Sequence, residues 1–398
     1  MHRLGRFDVA SLPRVIFGPG RVQELASIIK SFGRRALVVT GARSFRSGAH
    51  WPGLVDSLEK HKIEWDHVEI RGEPSPPVID NMVDRFHGER IDVVAGIGGG
   101  SAMDGAKAIA GLLPSGDSVM DYLEGVGRGR TYHGPATPLI AVPTTAGTGS
   151  EATKNAVLSR QGDDGFKKSF RHPLLMARVA LLDPELMRDL PRELMASQAM
   201  DALTQLIESY VSPNASPFTD ALALSGIEAA RDGLFAAIEG AGEKSAAGRA
   251  AMIYAAYCSG ITLAQAGLGV VHCLASPLGA FFPIPHGVVC GTLLGAATRM
   301  NIDAIQSREP NHPALRRYAR IGRLLSQDPA QTDTRALTWL TDTLDKWIRR
   351  LKIPRLSAYG VSTDDFPRLV AGCLSGSNKT NPLVLTGAEM TEILTQRL

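Results

Sequence analysis

The sequence lacks any run of the roughly 18–20 continuous apolar residues that a bilayer-crossing helix requires, and even residues 255–268 are broken by polar and glycine positions. No membrane partner is expected. The opening stretch MHRLGRFDVASLPRV has no apolar core of the kind a secretory signal needs. An excess of one charge is missing too: 43 basic and 40 acidic residues leave a formal net charge of +3, and no long basic run could follow a phosphate backbone. Nucleic acid is therefore not an expected partner. Cysteine is scarce. Its 4 positions, Cys258, Cys273, Cys290 and Cys373, contain no CxxC pair, and most of them stand in apolar stretches. That context suits reduced, buried thiols and leads us to expect a cytoplasmic protein.

With 398 residues, 44% hydrophobic and 21% charged, the chain has an ordinary globular composition and more length than one core usually supports, so two domains are expected. Between Arg35 and Val142, short β-branched runs (RRALVVT, DHVEI, IDVVAGIGG, TPLIAV) alternate with helical patterns, which predicts a parallel α/β sheet. After about Pro184 the pattern changes. Segments such as MASQAMDALTQLIESYVS, GRAAMIYAAYCSGITLAQAG and TRALTWLTDTLDKWIRRL carry apolar residues at i, i+3, i+4 spacing, which predicts an all-helical second half. The proline-bearing segment ALLDPELMRDLP is the natural boundary. The expected architecture is an α/β domain over residues 1–184 followed by an all-α domain over residues 185–398.

The strongest local signal is IDVVAGIGGGSAMDGAKAIAGLL, where a β-branched strand runs into Gly98, Gly99 and Gly100 and a helix opens at about Ser101. Successive glycines permit close backbone approach, and the first-turn N–H groups of the helix favour an anion, so this loop is suited to a pyrophosphate. It departs from GxGxxG, since Ser101 stands where the last glycine would be. A second loop, VPTTAGTGSEATKNAVLS, follows another strand and gathers hydroxyls at Thr144, Thr145, Thr148 and Ser150. Alone it serves equally as a capping turn. On successive strand ends of one sheet, the two loops would share the carboxyl edge, where open α/β sheets bind their ligands.

In the helical half, Asp201 and Gln205 stand four apart on one helix face, and His272 and His286 lie in a markedly apolar setting, the latter in the proline-framed corner PIPHG. A buried carboxylate with two imidazoles is a ligand set suited to zinc or ferrous iron. Taken singly, Asp201 is also readable as a helix-terminal charge and each histidine as a core residue satisfied by a backbone carbonyl.

These motifs resemble those of one family. GIGGGSAMDGAK resembles the GGGSxxDxAK loop of the iron-containing alcohol dehydrogenases, VPTTAGTGSEAT their PTTAGTGSE loop, and GLGVVHCLASPLGAFFPIPHG their third signature, in order along nearly the whole chain, from FGPG near Phe17 to NPLVLTGAEMTEIL. The resemblance implies a dehydroquinate synthase-like architecture: an N-terminal Rossmann-like dinucleotide-binding domain, a C-terminal helical domain, and one divalent metal in the cleft between them. It also implies NAD(P)-dependent oxidation of a small alcohol or reduction of an aldehyde, by a homodimer or larger assembly. Carried onto this chain, Gly98, Gly99, Gly100, Ser101 and Asp104 match the pyrophosphate loop, Thr144, Thr145, Thr148 and Ser150 the hydroxyl-rich loop, and Lys167 a cofactor-contacting lysine. Asp201, His272 and His286 match metal ligands, through which these residues would be catalytic.

The departures are informative. The family's other histidine ligand is Gln205 here, an amide oxygen donor weaker than imidazole; related glycerol dehydrogenases hold zinc with an aspartate and two histidines, so Fe2+ and Zn2+ both fit. Ser276 replaces a histidine that often follows the ligand by four residues, which points to a different substrate or proton route. Lys379 is a candidate contact for an anionic substrate, or a solvated surface lysine. At the end of the first predicted strand, Gly41 replaces an aspartate of NAD-preferring relatives and Arg43 stands close by, so NADP is the expected cofactor. Rival readings are a maleylacetate reductase-like keto acid reductase, which Asp201 argues against, a catalytically silent dinucleotide-binding protein, and a lyase related to dehydroquinate synthase.

Overall fold

A computed structural model describes residues 6–42, 44–162, 164–373 and 377–398. The described strands are β1 (Arg14–Phe17), β2 (Arg35–Gly41), β3 (Glu64–Ile70), β4 (Val93–Gly98), β5 (Leu139–Pro143), β6 (Asn155–Arg160), β7 (Phe166–Arg171) and β8 (Val179–Leu182). Between them lie helices α1 (Leu25–Lys30), α2 (His50–Lys60), α3 (Pro76–Phe86) and α4 (Gly100–Leu112). One sheet has the order β1-β8-β5-β4-β2-β3 with every neighbouring pair parallel, while β6 and β7 form a separate two-stranded sheet.

The parallel arrangement follows from the β-branched runs. β4, β5 and β8 are buried at every position, as strands are when helices cover both faces. Leu25, Ile29, Val38, Val93, Ile97, Ile140, Val142 and Leu181 form one continuous core against the sheet. The chain winds from β2 to β3 on one side and then returns to place β4 on the other side of β2, in register Thr40↔Ile97. That reversal opens a crevice at the carboxyl ends of β2 and β4, the position where open α/β sheets receive ligands.

The second half is helical: α5 (Arg192–Val211), α6 (Pro217–Glu239), α7 (Gly242–Ala266), α8 (Val270–Phe281), α9 (His286–Arg308), α10 (Pro313–Ser326), α11 (Asp333–Arg350), α12 (Phe366–Cys373) and α13 (Gly387–Gln396). α5 is the hub, packing against α6, α7 and α9, and from Met195 onward nearly all of its residues are buried. Among the described residues no single helix is long and apolar enough to cross a membrane. The chain divides into two compact units: residues Ala10–Arg160 with Lys167–Leu190, and a helical unit built chiefly of Pro191–Leu398.

Two features differ from the sequence expectation. β1 and the β6–β7 pair were not anticipated, because the first is only four residues long and mostly exposed, and FKKSFR of β7 alternates poorly. The expectation of reduced thiols is corrected at one pair: Cys273 and Cys373 form a disulfide, their Cα atoms 5.0 Å apart across a sequence separation of 100. Sequence spacing carries no record that the start of α8 packs on the end of α12. Cys258 and Cys290 are free and buried.

Candidate active site

β4 and β5 are hydrogen-bonded neighbours in register Gly98↔Pro143, so the glycine loop and the hydroxyl loop emerge side by side. The amide of Thr144 donates to the carbonyl of Gly98 at 2.9 Å and fixes the loops to each other. Their packing explains a glycine: a Cβ on Gly100 would lie 2.7 Å from Thr148 Cγ2, closer than real contacts allow. Gly99 caps the N-terminus of α4, whose first-turn amides face the loop. Gly41 ends β2 at the crevice, and a side chain there would meet nothing within 4 Å. Arg43 lies outside the described residues.

The loop residues divide by burial. Gly99, Gly100, Ser101, Asp104, Thr145 and Thr148 are half-buried and available to a ligand, whereas Thr144 and Ser150 are buried. Ser150 donates to Asp104 at 2.7 Å and accepts from the fully buried Lys107 at 2.7 Å; Lys107 also donates to Thr153 (2.7 Å) and to the carbonyl of Asn155 (2.9 Å). Lys107, not singled out from sequence, therefore ties α4 to both the loop and β6. Burial pulls its pKa down to about 8 and pushes that of the neighbouring buried Glu151 up to about 7. Lys167, on β7, forms an ion pair with Glu73.

The helical unit brings together Asp201 from α5, His272 from α8 and His286, the first residue of α9. With Cys290 they present four potential ligand atoms, all within 4.8 Å of one another. Asp201 Oδ1 lies 3.4 Å from His272 Nε2 and 3.9 Å from His286 Nε2, and Cys290 Sγ lies 3.5 and 3.6 Å from the same two nitrogens. Burial alone would raise the Asp201 carboxyl, but the two imidazoles outweigh it and hold the group below its ordinary value. Burial pushes the Cys290 thiol up to about 12.

One oxygen of Asp201, Oδ2, is fully buried without a hydrogen-bond partner among the described residues. An ionised carboxylate in that state is costly unless a cation completes it, so the residues present fit a divalent metal. Gln205 lies one turn along α5, its amide N–H donating to Asp201 Oδ1 at 3.1 Å and its carbonyl accepting from Ser259 at 2.7 Å.

Glu208 completes the arrangement. One carboxylate oxygen faces His272 Nδ1 at 2.6 Å and the other accepts from the amide of Val271 at 2.7 Å, so a single side chain caps α8 and orients its imidazole. The carboxylate can only accept, so Nδ1 is the donor of this pair and Nε2 is the atom turned toward the cluster, the arrangement outer carboxylates give at metal sites. Gly269 permits this approach, since a Cβ there would lie 2.9 Å from Glu208 Oε1. Glu208 and Cys290 were missed in sequence, although Glu208 follows Asp201 by seven residues and Cys290 follows His286 by four, both helical face spacings. Ser276 sits one turn after His272 on α8, and Lys379 is exposed on the short turn Ser377–Thr380.

Comparison with known proteins agrees with this layout. Residues 13–184 match the family described as iron-containing alcohol dehydrogenase, and residues 195–398 match the C-terminal part of the same family. Alcohol dehydrogenase 4 of Saccharomyces cerevisiae is 34% identical over 96% of this chain and 96% of its own length. The NAD-dependent methanol dehydrogenase of Bacillus methanolicus is 30% identical over 97% and 98%. The solved alcohol dehydrogenase from Oenococcus oeni superposes with a TM-score of 0.87 at 27% identity, covering 99% of this chain and 100% of that one. The paired loops, the carboxylate–imidazole cluster and these matches along both halves together place the chain in the iron-containing alcohol dehydrogenase family.

Proposed function

We propose that this alcohol oxidoreductase interconverts a small alcohol and its aldehyde, with NADP as the preferred hydride carrier and a divalent ion at the Asp201–His272–His286 cluster. The observation that carries the reading is the buried Asp201 carboxylate, one oxygen facing two imidazoles and the other unpartnered among the described residues, a donor set that an apolar helix would not otherwise bury. A divalent ion held there supplies Lewis acidity toward the substrate oxygen. Glu208 holds the proton of His272 on Nδ1, and Gln205 donates to Asp201, so both side chains keep their orientation as charge develops at the substrate.

In the α/β unit, the amides at the start of α4 and the half-buried Thr145 and Thr148 supply donors for a pyrophosphate, and Lys107 and Ser150 hold the two loops in place. The hydride chemistry belongs to the dinucleotide; the protein positions it. The absence of a carboxylate at Gly41, where a side chain would meet open space, supports admission of a 2′-phosphate. The test is oxidation of NADPH and of NADH by the purified protein against a panel of small aldehydes. Turnover with a higher kcat/KM for NADPH is expected; turnover only with NADH would overturn the cofactor preference, and dinucleotide binding without reduction of any aldehyde would overturn the activity.

A further inference from the structure

We infer that Cys290 is the fourth protein ligand of the metal centre and that Gln205, at the position of the family's other histidine, is not a ligand but a hydrogen-bond donor to Asp201. The inference rests on the metal-centre reading above and concerns which side chains of this chain form it.

The geometry is that of a tetrahedral site. Bond lengths of about 2.0 Å to nitrogen or oxygen and about 2.3 Å to sulfur, at tetrahedral angles, place sulfur about 3.5 Å from nitrogen and nitrogen about 3.3 Å from oxygen. Cys290 Sγ lies 3.5 and 3.6 Å from the two imidazole Nε2 atoms, and His272 Nε2 lies 3.4 Å from Asp201 Oδ1. The remaining His286–Asp201 separation, 3.9 Å, is somewhat wider. Cys290 Sγ meets two Nε2 atoms at once, and its single S–H can donate to only one of them. A cation placed among them meets both imidazoles, the sulfur and the buried Asp201 carboxylate, whose other oxygen has no hydrogen-bond partner among the described residues.

Gln205 is turned the wrong way to take part. Asp201 is acceptor-only when ionised, so the edge of the amide facing it is the NH2 group, and the carbonyl oxygen is held by Ser259 at 2.7 Å. The chain has thus exchanged an imidazole on α5 for a thiolate on α9, four residues after His286. A thiolate in the set shifts preference from ferrous iron to zinc, and coordination deprotonates the thiol outright.

The test uses full-length protein, stripped by chelation and reloaded with Co2+. Stoichiometric cobalt with an intense near-ultraviolet thiolate-to-cobalt charge-transfer band is expected, retained in Cys258→Ala and therefore assigned to the other free thiol. Cys290→Ala should abolish the band and weaken cobalt binding by more than the roughly 10- to 100-fold that loss of an outer partner brings, while Gln205→Ala keeps the band and stays within that range. Should Cys290→Ala fail to fold, the wild-type and Cys258→Ala spectra still decide. Stoichiometric cobalt without the band, or a band that survives Cys290→Ala, would overturn the assignment; failure of the wild type to take up any cobalt would instead overturn the metal-centre reading beneath it.

Discussion

At the scale of single residues, the chain concentrates its cost on a few buried polar groups, and each has a measurable signature. Glu208 serves two partners, the amide of Val271 and the imidazole of His272. Glu208→Gln should lower metal affinity by roughly 10- to 100-fold in competition with a chelator, with dinucleotide affinity unchanged; a variant that folds and binds metal as tightly as wild type would remove its role as a positioning residue. Glu151 gives a pH signature. Its pKa is raised by burial from 4.5 to about 7 in the folded protein, so the folded state binds the proton more tightly than the unfolded chain. The stabilisation is present at pH below the unfolded value and is lost as pH rises through about 7. Relative to Glu151→Gln, the wild type should therefore lose about 3 kcal/mol of unfolding free energy across that window in denaturant titrations, and a constant difference would contradict the buried, neutral carboxyl.

Elements explain why some of the site was legible and some was not. The pyrophosphate loop could be read because β4 is an unbroken β-branched run and glycines follow it at once; the sheet order then placed it beside the hydroxyl loop, as successive strand ends suggest. The structural demand on Gly100 was invisible, since it arises from Thr148 in a loop more than forty positions on. Gly100→Ala should cost about 1–3 kcal/mol of stability by overpacking and weaken dinucleotide binding, and adding Thr148→Ser, which removes the clashing methyl, should restore much of the melting temperature. An additive double variant would show that the contact is not the cause. Asp201, His272 and His286 stood out because ionisable groups in apolar helices are conspicuous. Glu208 and Cys290 did not, because the seven-residue spacing on a helix that is buried on nearly every side gives no amphipathic contrast, and a cysteine among valines and glycines reads as a small apolar residue.

At the scale of the whole molecule, the sequence divides into an α/β half and a helical half because β-branched runs alternating with helical patterns give way to helical spacing alone near Pro184, and the first compact unit runs a little further, to Leu190. What periodicity could not report is which distant segments meet. The Cys273–Cys373 disulfide joins α8, which carries His272, to the end of α12. Alkylation of denatured, unreduced protein followed by mass spectrometry should label Cys258 and Cys290 alone, and labelling of all four cysteines would show that the bridge is not formed in solution.

The most direct measurement is the metal content of the purified protein, by elemental analysis before and after chelation, with aldehyde reduction followed in the same samples. Stoichiometric zinc or iron, activity lost on chelation and recovered on adding the ion back, is the predicted result. Full aldehyde reduction by a metal-free protein would contradict a metal centre built on Asp201, His272 and His286.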